Sequence, residues 1–190
     1  MRIISQNVLN YDFPVNDDFI LRINLAWCDS ISELESILEK NKNYKIFVDL
    51  PIKRVKPPNN RYSIDDIAPV IHKNDNVAYF AISNVESGDD LNEYLEKLPK
   101  NLTLVPKIES PNAVLNIQNI VNKLPNKEKC LMLDHDDLYS NLIKRNESPE
   151  SFKNYISQLS DFCEKNDIIL LRTVGVIFSN EEKRTSQYIK

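Results

Sequence analysis

Short runs rich in Ile, Val and Leu recur along the chain, and nearly every one is followed by a charged segment whose apolar residues fall at helical spacing. This alternation is the signature of βα units, which build a mainly parallel sheet because parallel neighbours need a long crossover. It predicts strands near residues 3–8, 19–25, 44–49, 77–83, 103–108, 130–134 and 168–173. Helices are expected over 30–40, 64–73, 88–98, 112–124, 149–165 and 181–188. Ser30, Ser63, Ser87, Ser110 and Ser148 stand where N-caps belong, and Pro111 and Pro149 suit a first helical position. The strands read as nearly continuous apolar runs, so both faces must be covered, by helices and a barrel interior or by two helix layers. A TIM-type (β/α) barrel and an open doubly wound sheet both satisfy this pattern.

With 190 residues, 42% of them hydrophobic, one domain spanning 1–190 with a sizeable core is expected. A formal charge of −4 and scattered lysines leave no positive field for a phosphate backbone, so nucleic acid is not an expected partner. Three cysteines without a CxxC pair suggest neither a disulfide framework nor a thiolate zinc site. The N-terminus lacks the apolar run of a signal peptide, and no stretch approaches the roughly 20 apolar residues of a membrane span. A reducing cytoplasm, away from membranes, is the expected compartment. Only Gly88 and Gly175 occur, which removes the glycine-rich loops that usually cradle nucleotide phosphates.

In βα folds the ligand lies beyond the C-terminal ends of the strands, so polar residues that interrupt an apolar strand there are the candidates. Arg22 and Asn24 share one face of the second strand, Asp49 ends the third, Lys107 and Glu109 share one face at the end of the fifth, Asp137 follows the sixth and Thr173 ends the seventh. Inward charges are costly unless paired or bound to metal. Glu109 and Asp137, from adjacent strand ends, suit Mg²⁺ or Mn²⁺, hard ions that prefer oxygen; the alternative is salt bridges with Lys107 or Arg172. Arg22 can meet an oxyanion or pair with Asp49. Lys107 can donate a proton or stay paired with a carboxylate. In Asp134-His135-Asp136-Asp137, adjacent strand residues face opposite ways, so the cluster is not expected to converge on one ion without a bend, and Asp137 alone is chosen. His72 is expected on a helix surface, the serines as caps, and Cys28 as a space-filling thiol. Residues 51–61, with three prolines and four cations, read as a loop at a strand's C-terminal end.

These residues resemble a known family in order. Arg22-Ile-Asn24-Leu-Ala-Trp27 is similar to the Arg-x-Asn-Phe-Ser-His segment of pyruvate kinase, and Asp49-Leu-Pro51-Ile-Lys53 to its Asp-x-x-Gly-Pro-Glu-Ile-Arg stretch. Tyr62-Ser63-Ile64-Asp65-Asp66 resembles its Leu-Ser-x-x-Asp helix start. Val105-Pro-Lys107-Ile-Glu109 resembles the Lys-Ile-Glu motif, the stretch from Leu131 to Leu138 the Met-Val-Ala-Arg-Gly-Asp-Leu-Gly motif, and Leu171-Arg-Thr173 the Ala-Thr-Gln motif. The same stretches resemble the citrate lyase β-subunit and the HpcH/HpaI aldolases, and Glu109-Ser110-Pro111 is close to their Ile-Glu-Thr-Pro. All belong to the phosphoenolpyruvate/pyruvate barrel superfamily.

The resemblance implies a (β/α) barrel with a divalent ion, Mg²⁺ or Mn²⁺, on Glu109 and Asp137, chelated by a small anionic keto acid or phosphoenolpyruvate. It implies catalytic roles for Arg22, Lys107 and Thr173, and substrate contacts from Arg22, Asn24, Asp49, Lys53, Asp137, Leu138 and Thr173. The chain departs from pyruvate kinase in having no room for its lid and C-terminal domains. Ala26 and Leu50 stand where hydroxyl ligands of its monovalent cation are expected, and Asp136 and Tyr139 replace glycines. An eighth strand and helix are not evident, so an incomplete barrel is expected. Three functions follow as expectations: a metal-dependent C–C lyase or aldolase working through an enolpyruvate-like intermediate, a phosphoenolpyruvate-dependent transferase of pyruvate-kinase type, or a non-catalytic scaffold. An open barrel edge would be covered most simply by a second copy of the chain.

Overall fold

Parallel strands joined by helices form the framework, as the apolar runs require. The computed structural model describes residues 2–5, 19–53 and 60–172. Contacts divide the chain into two units, the first comprising Met1–Ser83 and Leu91–Val105, the second Asn84–Asp90 and Pro106–Lys190.

In the first unit, strands β1 (Arg2–Ser5), β2 (Phe19–Asn24), β3 (Lys45–Leu50) and β4 (Val77–Ile82) pair in parallel and in chain order. Register is set by Ile4 against Leu21, Leu21 against Ile46 and Val48 against Phe80. β3 is buried on both faces from Ile46 to Leu50, which is why it reads as one apolar run broken only by Asp49. Helix α1 (Ile31–Lys40) buries Leu34 and Leu38, four residues apart, and α2 (Ile64–His72) buries Ile64, Ile67, Ala68 and Ile71 on one stripe. Helix α3 (Asn92–Lys97) is a short one. Ser30 caps α1, its hydroxyl accepting from Glu33 N at 3.1 Å. Ser63 and Asp66 form a reciprocal capping box at the start of α2.

Strand β5 (Thr103–Ile108) leads into the second unit, where β6 (Cys130–Leu133) pairs in parallel with both β5 and β7 (Ile169–Arg172). Helices α4 (Pro111–Leu115), α5 (Ile117–Lys123), α6 (His135–Lys144) and α7 (Ser151–Lys165) complete it. Ser110 caps α4 through Ala113 N at 3.1 Å, with Pro111 in the first turn.

Several expected bounds shift. The helix expected over 88–98 is a 3-10 turn, Gly88–Leu91, followed by α3, and the one expected over 112–124 breaks at Asn116 into α4 and α5. Ser87 does not cap by accepting. The Asp90 carboxylate instead accepts from Glu86 N, Ser87 N and the Ser87 hydroxyl at 2.9, 2.8 and 3.2 Å. Ser148 lies short of its helix, which begins at Ser151 behind Glu150; its hydroxyl accepts from Glu150 N in a local turn. Helix α6 was not expected at all. Only Leu138 and Leu142 of its apolar residues are buried, too thin a stripe to stand out among His135, Asp136, Asp137 and Asn141. Thr173, the middle of the 51–61 loop and the helix expected over 181–188 lie outside the described residues. Among the described residues no helix is long and apolar enough to cross a membrane.

Cys28, Cys130 and Cys163 are free and buried. Burial pushes the Cys28 thiol up to about 11, with Glu33 adding to the rise, and lifts Cys130 to about 12 and Cys163 to about 11. Because the thiolate is the reactive form, none of the three is expected to react with an aromatic disulfide reagent at pH 8 until the protein unfolds, when all three should. Rapid labelling of a native thiol would contradict this placement.

Candidate functional site

The chemistry-bearing residues of the second unit gather where β5 and β6 end. Side chains alternate along β5, so Lys107 and Glu109, two apart, fall on the same side. Both are buried, at 5% and 2% exposure. Lys107 Nζ lies 2.8 Å from Glu109 Oε1 and 3.7 Å from Asp134 Oδ2. Glu109 Oε2 accepts from the backbone N–H of Asn84 at 2.7 Å, a residue held at φ 55°. The Glu109 backbone carbonyl accepts from Asn141 Nδ2 of α6 at 2.7 Å, and Asp134 N donates to Ile108 O at 3.2 Å. Strand, turn and helix thus fix Glu109 from three directions.

Asp134 is the N-cap of α6, its Oδ1 accepting from Asp137 N at 3.2 Å. The strand ends at Leu133 and the helix starts at His135, so Asp134 and Asp137 stand one helical turn apart and face the same way. Residues 134–137 were not expected to share one ion without a bend; the chain bends here, and Asp134 joins the expected Asp137 while His135 and Asp136 are not in the cluster. Carboxylate oxygens of Glu109, Asp134 and Asp137 all lie within 4.8 Å of one another. Asp134 is the residue that sequence reasoning missed. The signal available was its position three residues before Asp137, the spacing of an N-cap and its N3 partner.

Burial drives the Glu109 carboxyl upward from its ordinary value; the Lys107 ammonium pulls it back, and the Asp134 carboxylate adds to the rise. The Lys107 ammonium lies against Glu109 and Asp134, and with Asp137 beside them the formal charge of these four groups is −2. Glu109 Oε1 is buried and, although close to the ammonium, accepts no aligned hydrogen bond. An all-oxygen donor set of this charge fits a hard divalent ion.

His135 faces elsewhere. Its ring packs edge-on to Phe152 of α7 and its Nε2 lies 3.2 Å from Arg172 Nη2. Burial, then the Arg172 charge, lowers its pKa, so it stands as a neutral imidazole. Leu138 is fully buried, and its N–H closes the first turn of α6 on Asp134 O at 3.0 Å.

The first unit holds the other expected residues. Arg22 of β2 donates from Nε to Asp49 Oδ2 at 3.1 Å and also from Nη2 to the same oxygen, and Asp49 is completely buried. The pair weighed as the alternative for Arg22 is thus present. Asn24 is buried beside Asp49, and its Oδ1 accepts from Ala26 N at 3.0 Å, capping the 3-10 turn Leu25–Trp27. Lys53 is exposed at φ 56°. His72 ends α2 at the surface, Nε2 3.0 Å from Lys97 O, and the Cys28 thiol donates to Ser30 O at 3.3 Å.

No protein-family model and no curated protein sequence matches the chain. Solved structures do. RipC from Yersinia pestis superposes with a TM-score of 0.61 at 17% identity, covering 89% of this chain and 79% of that one. An HpcH/HpaI aldolase from Desulfitobacterium hafniense DCB-2 gives a TM-score of 0.61 at 12% identity, covering 90% and 74%. The chain is an α/β barrel protein. The fold is the (β/α) barrel expected from the sequence, with seven strands among the described residues against eight in a full barrel.

Proposed function

We propose that the protein is a divalent-metal-dependent enzyme of the C–C lyase or aldolase type, acting on a small keto acid through an enolpyruvate-like intermediate. The observation that carries this reading is the convergence of Glu109, Asp134 and Asp137 on one point beside the Lys107 ammonium. Fold likeness to a solved HpcH/HpaI aldolase supports the choice of reaction class.

Glu109 and Asp137, joined by Asp134, are the residues that would hold Mg²⁺ or Mn²⁺. The ion, when bound, supplies Lewis-acid polarisation of the acid's keto oxygen. Lys107 supplies a fixed positive charge beside the site, where burial makes it act more strongly than in water. Asn84 N–H and Asn141 hold Glu109 in place, so little reorganisation is needed when charge develops nearby. Lys107 also favours a second reading, phosphoenolpyruvate-dependent transfer, because a buried ammonium at this position can neutralise an enol oxygen or a phosphoryl group.

Chelator-treated protein with Mn²⁺ should melt at a higher temperature when oxalate, pyruvate or oxaloacetate is added, since a ligand at 100 times its Kd stabilises the folded state by about 2.7 kcal/mol. A response to phosphoenolpyruvate, with phosphate released to an acceptor, would select the transfer reading. Failure of every acid to add to the effect of metal, in a well-folded sample, would remove both readings.

A further inference from the structure

Resting on the metal-site reading above, we infer that Asp134 makes this a three-carboxylate centre, which captures its divalent ion on protein ligands alone, before any acid is present. The motif that residues 131–138 resemble has alanine at the position of Asp134, so the two carboxylates implied by that resemblance do not include it. Two carboxylates beside a lysine leave a formal charge of only −1, and such a site gains much of its hold on an ion from the oxygens of the incoming acid. Asp134 raises the charge to −2, which a divalent ion neutralises completely. Its geometry suits a ligand. Oδ1 is oriented by the Asp137 N–H, and the side chain is 24% exposed, so an ion can reach it. Glu109, 2% exposed, places a carboxylate oxygen within 4.8 Å of those of Asp134 and Asp137, with its Oε1 held 2.8 Å from the Lys107 ammonium. Lys107, 3.7 Å from Oδ2, offsets the third negative charge without occupying the carboxylate's other lone pairs.

The test is titration of the chelator-treated full chain with Mn²⁺ alone, reading free Mn²⁺ by electron paramagnetic resonance, then repeating with oxalate. Asp134→Asn is the informative variant, since asparagine caps a helix as well as aspartate and keeps α6 intact; Asp134→Ser is a second cap-preserving replacement. The wild type is expected to bind Mn²⁺ without oxalate. Both variants should lose roughly tenfold or more of that affinity, at least the loss typical for an outer-sphere partner, and oxalate should restore part of it. Equal Mn²⁺ affinity in wild type and Asp134→Asn would overturn the inference while leaving the metal site standing. A wild type that binds Mn²⁺ only with oxalate would also overturn it. Absence of binding under either condition would remove the metal-site reading itself.

Discussion

Glu109→Ala is expected to abolish divalent-ion binding, and with it any metal-dependent turnover. Glu109 is the most enclosed of the three carboxylates, and its position is over-determined by the Asn84 N–H, by Asn141 on its carbonyl and by Lys107. No neighbouring oxygen can replace it at the end of β5, where the next residue, Ser110, is engaged in capping α4. Alanine also removes the carboxylate 2.8 Å from the buried Lys107 ammonium, and a broken buried pair costs about 3–5 kcal/mol. A failure to fold would confound the measurement. Glu109→Gln separates the effects: it keeps an acceptor for Asn84 and the side-chain volume while lowering the negative charge by one. The expected result for Glu109→Gln is a folded protein by circular dichroism with no rise in melting temperature on adding Mn²⁺, alone or with oxalate. Persistence of metal-dependent stabilisation in that variant would refute the assignment of Glu109 as a ligand.

The contrast between Glu109 and Asp134 shows what was legible in the sequence. Lys107 and Glu109 could be placed side by side because a strand's two-residue period holds through the last residues of β5, and that period is local. Asp134 could not be placed by the same rule, because the chain changes period there from strand to helix within one residue. The switch was obscured by the composition of α6, where Asp136, Asp137, Asn141 and Lys144 dilute a stripe of only two buried leucines. Helices that bury little are formed by their caps and tertiary contacts more than by their apolar pattern, so periodicity alone misses them. The same limitation explains Ser148: a serine before proline looks like a cap, yet the chain turns once more before α7 begins. The βα order, by contrast, was visible apart from α6, since a strand buried on both faces reads as an apolar run and a helix as an apolar stripe. For Arg22 the sequence offered an anion and Asp49 as partners that can coexist, and showing that the Asp49 pair is present needed the register of β2 and β3, which only the pairing supplies.

Arg22→Met is expected to destabilise the protein by about 3–5 kcal/mol, a large share of the about 5–15 kcal/mol that holds a typical domain together. The reason lies in Asp49. Its carboxylate is fully buried in the middle of the parallel sheet of the first unit, and two guanidinium nitrogens of Arg22 donate to its Oδ2. Methionine fills the volume of the arginine stem but gives the buried charge nothing in exchange, and desolvation of the carboxylate is then opposed by less positive charge. A surface ion pair would behave differently, contributing about 0–1 kcal/mol, because water solvates whichever partner remains. The double replacement Arg22→Met/Asp49→Leu removes the charge together with its partner, and should recover most of the loss, since apolar side chains of similar volume often serve as well as a buried pair. Urea unfolding of the wild type, both single variants and the double variant completes the cycle, with the slope against urea checked for constancy. A loss below about 1 kcal/mol in Arg22→Met would place the pair in the surface class and show that Asp49 is held by its other neighbours. Recovery in the double variant would show that the cost in Arg22→Met comes from the unpaired Asp49 charge and that the pair as a whole adds little to stability over apolar residues of similar volume.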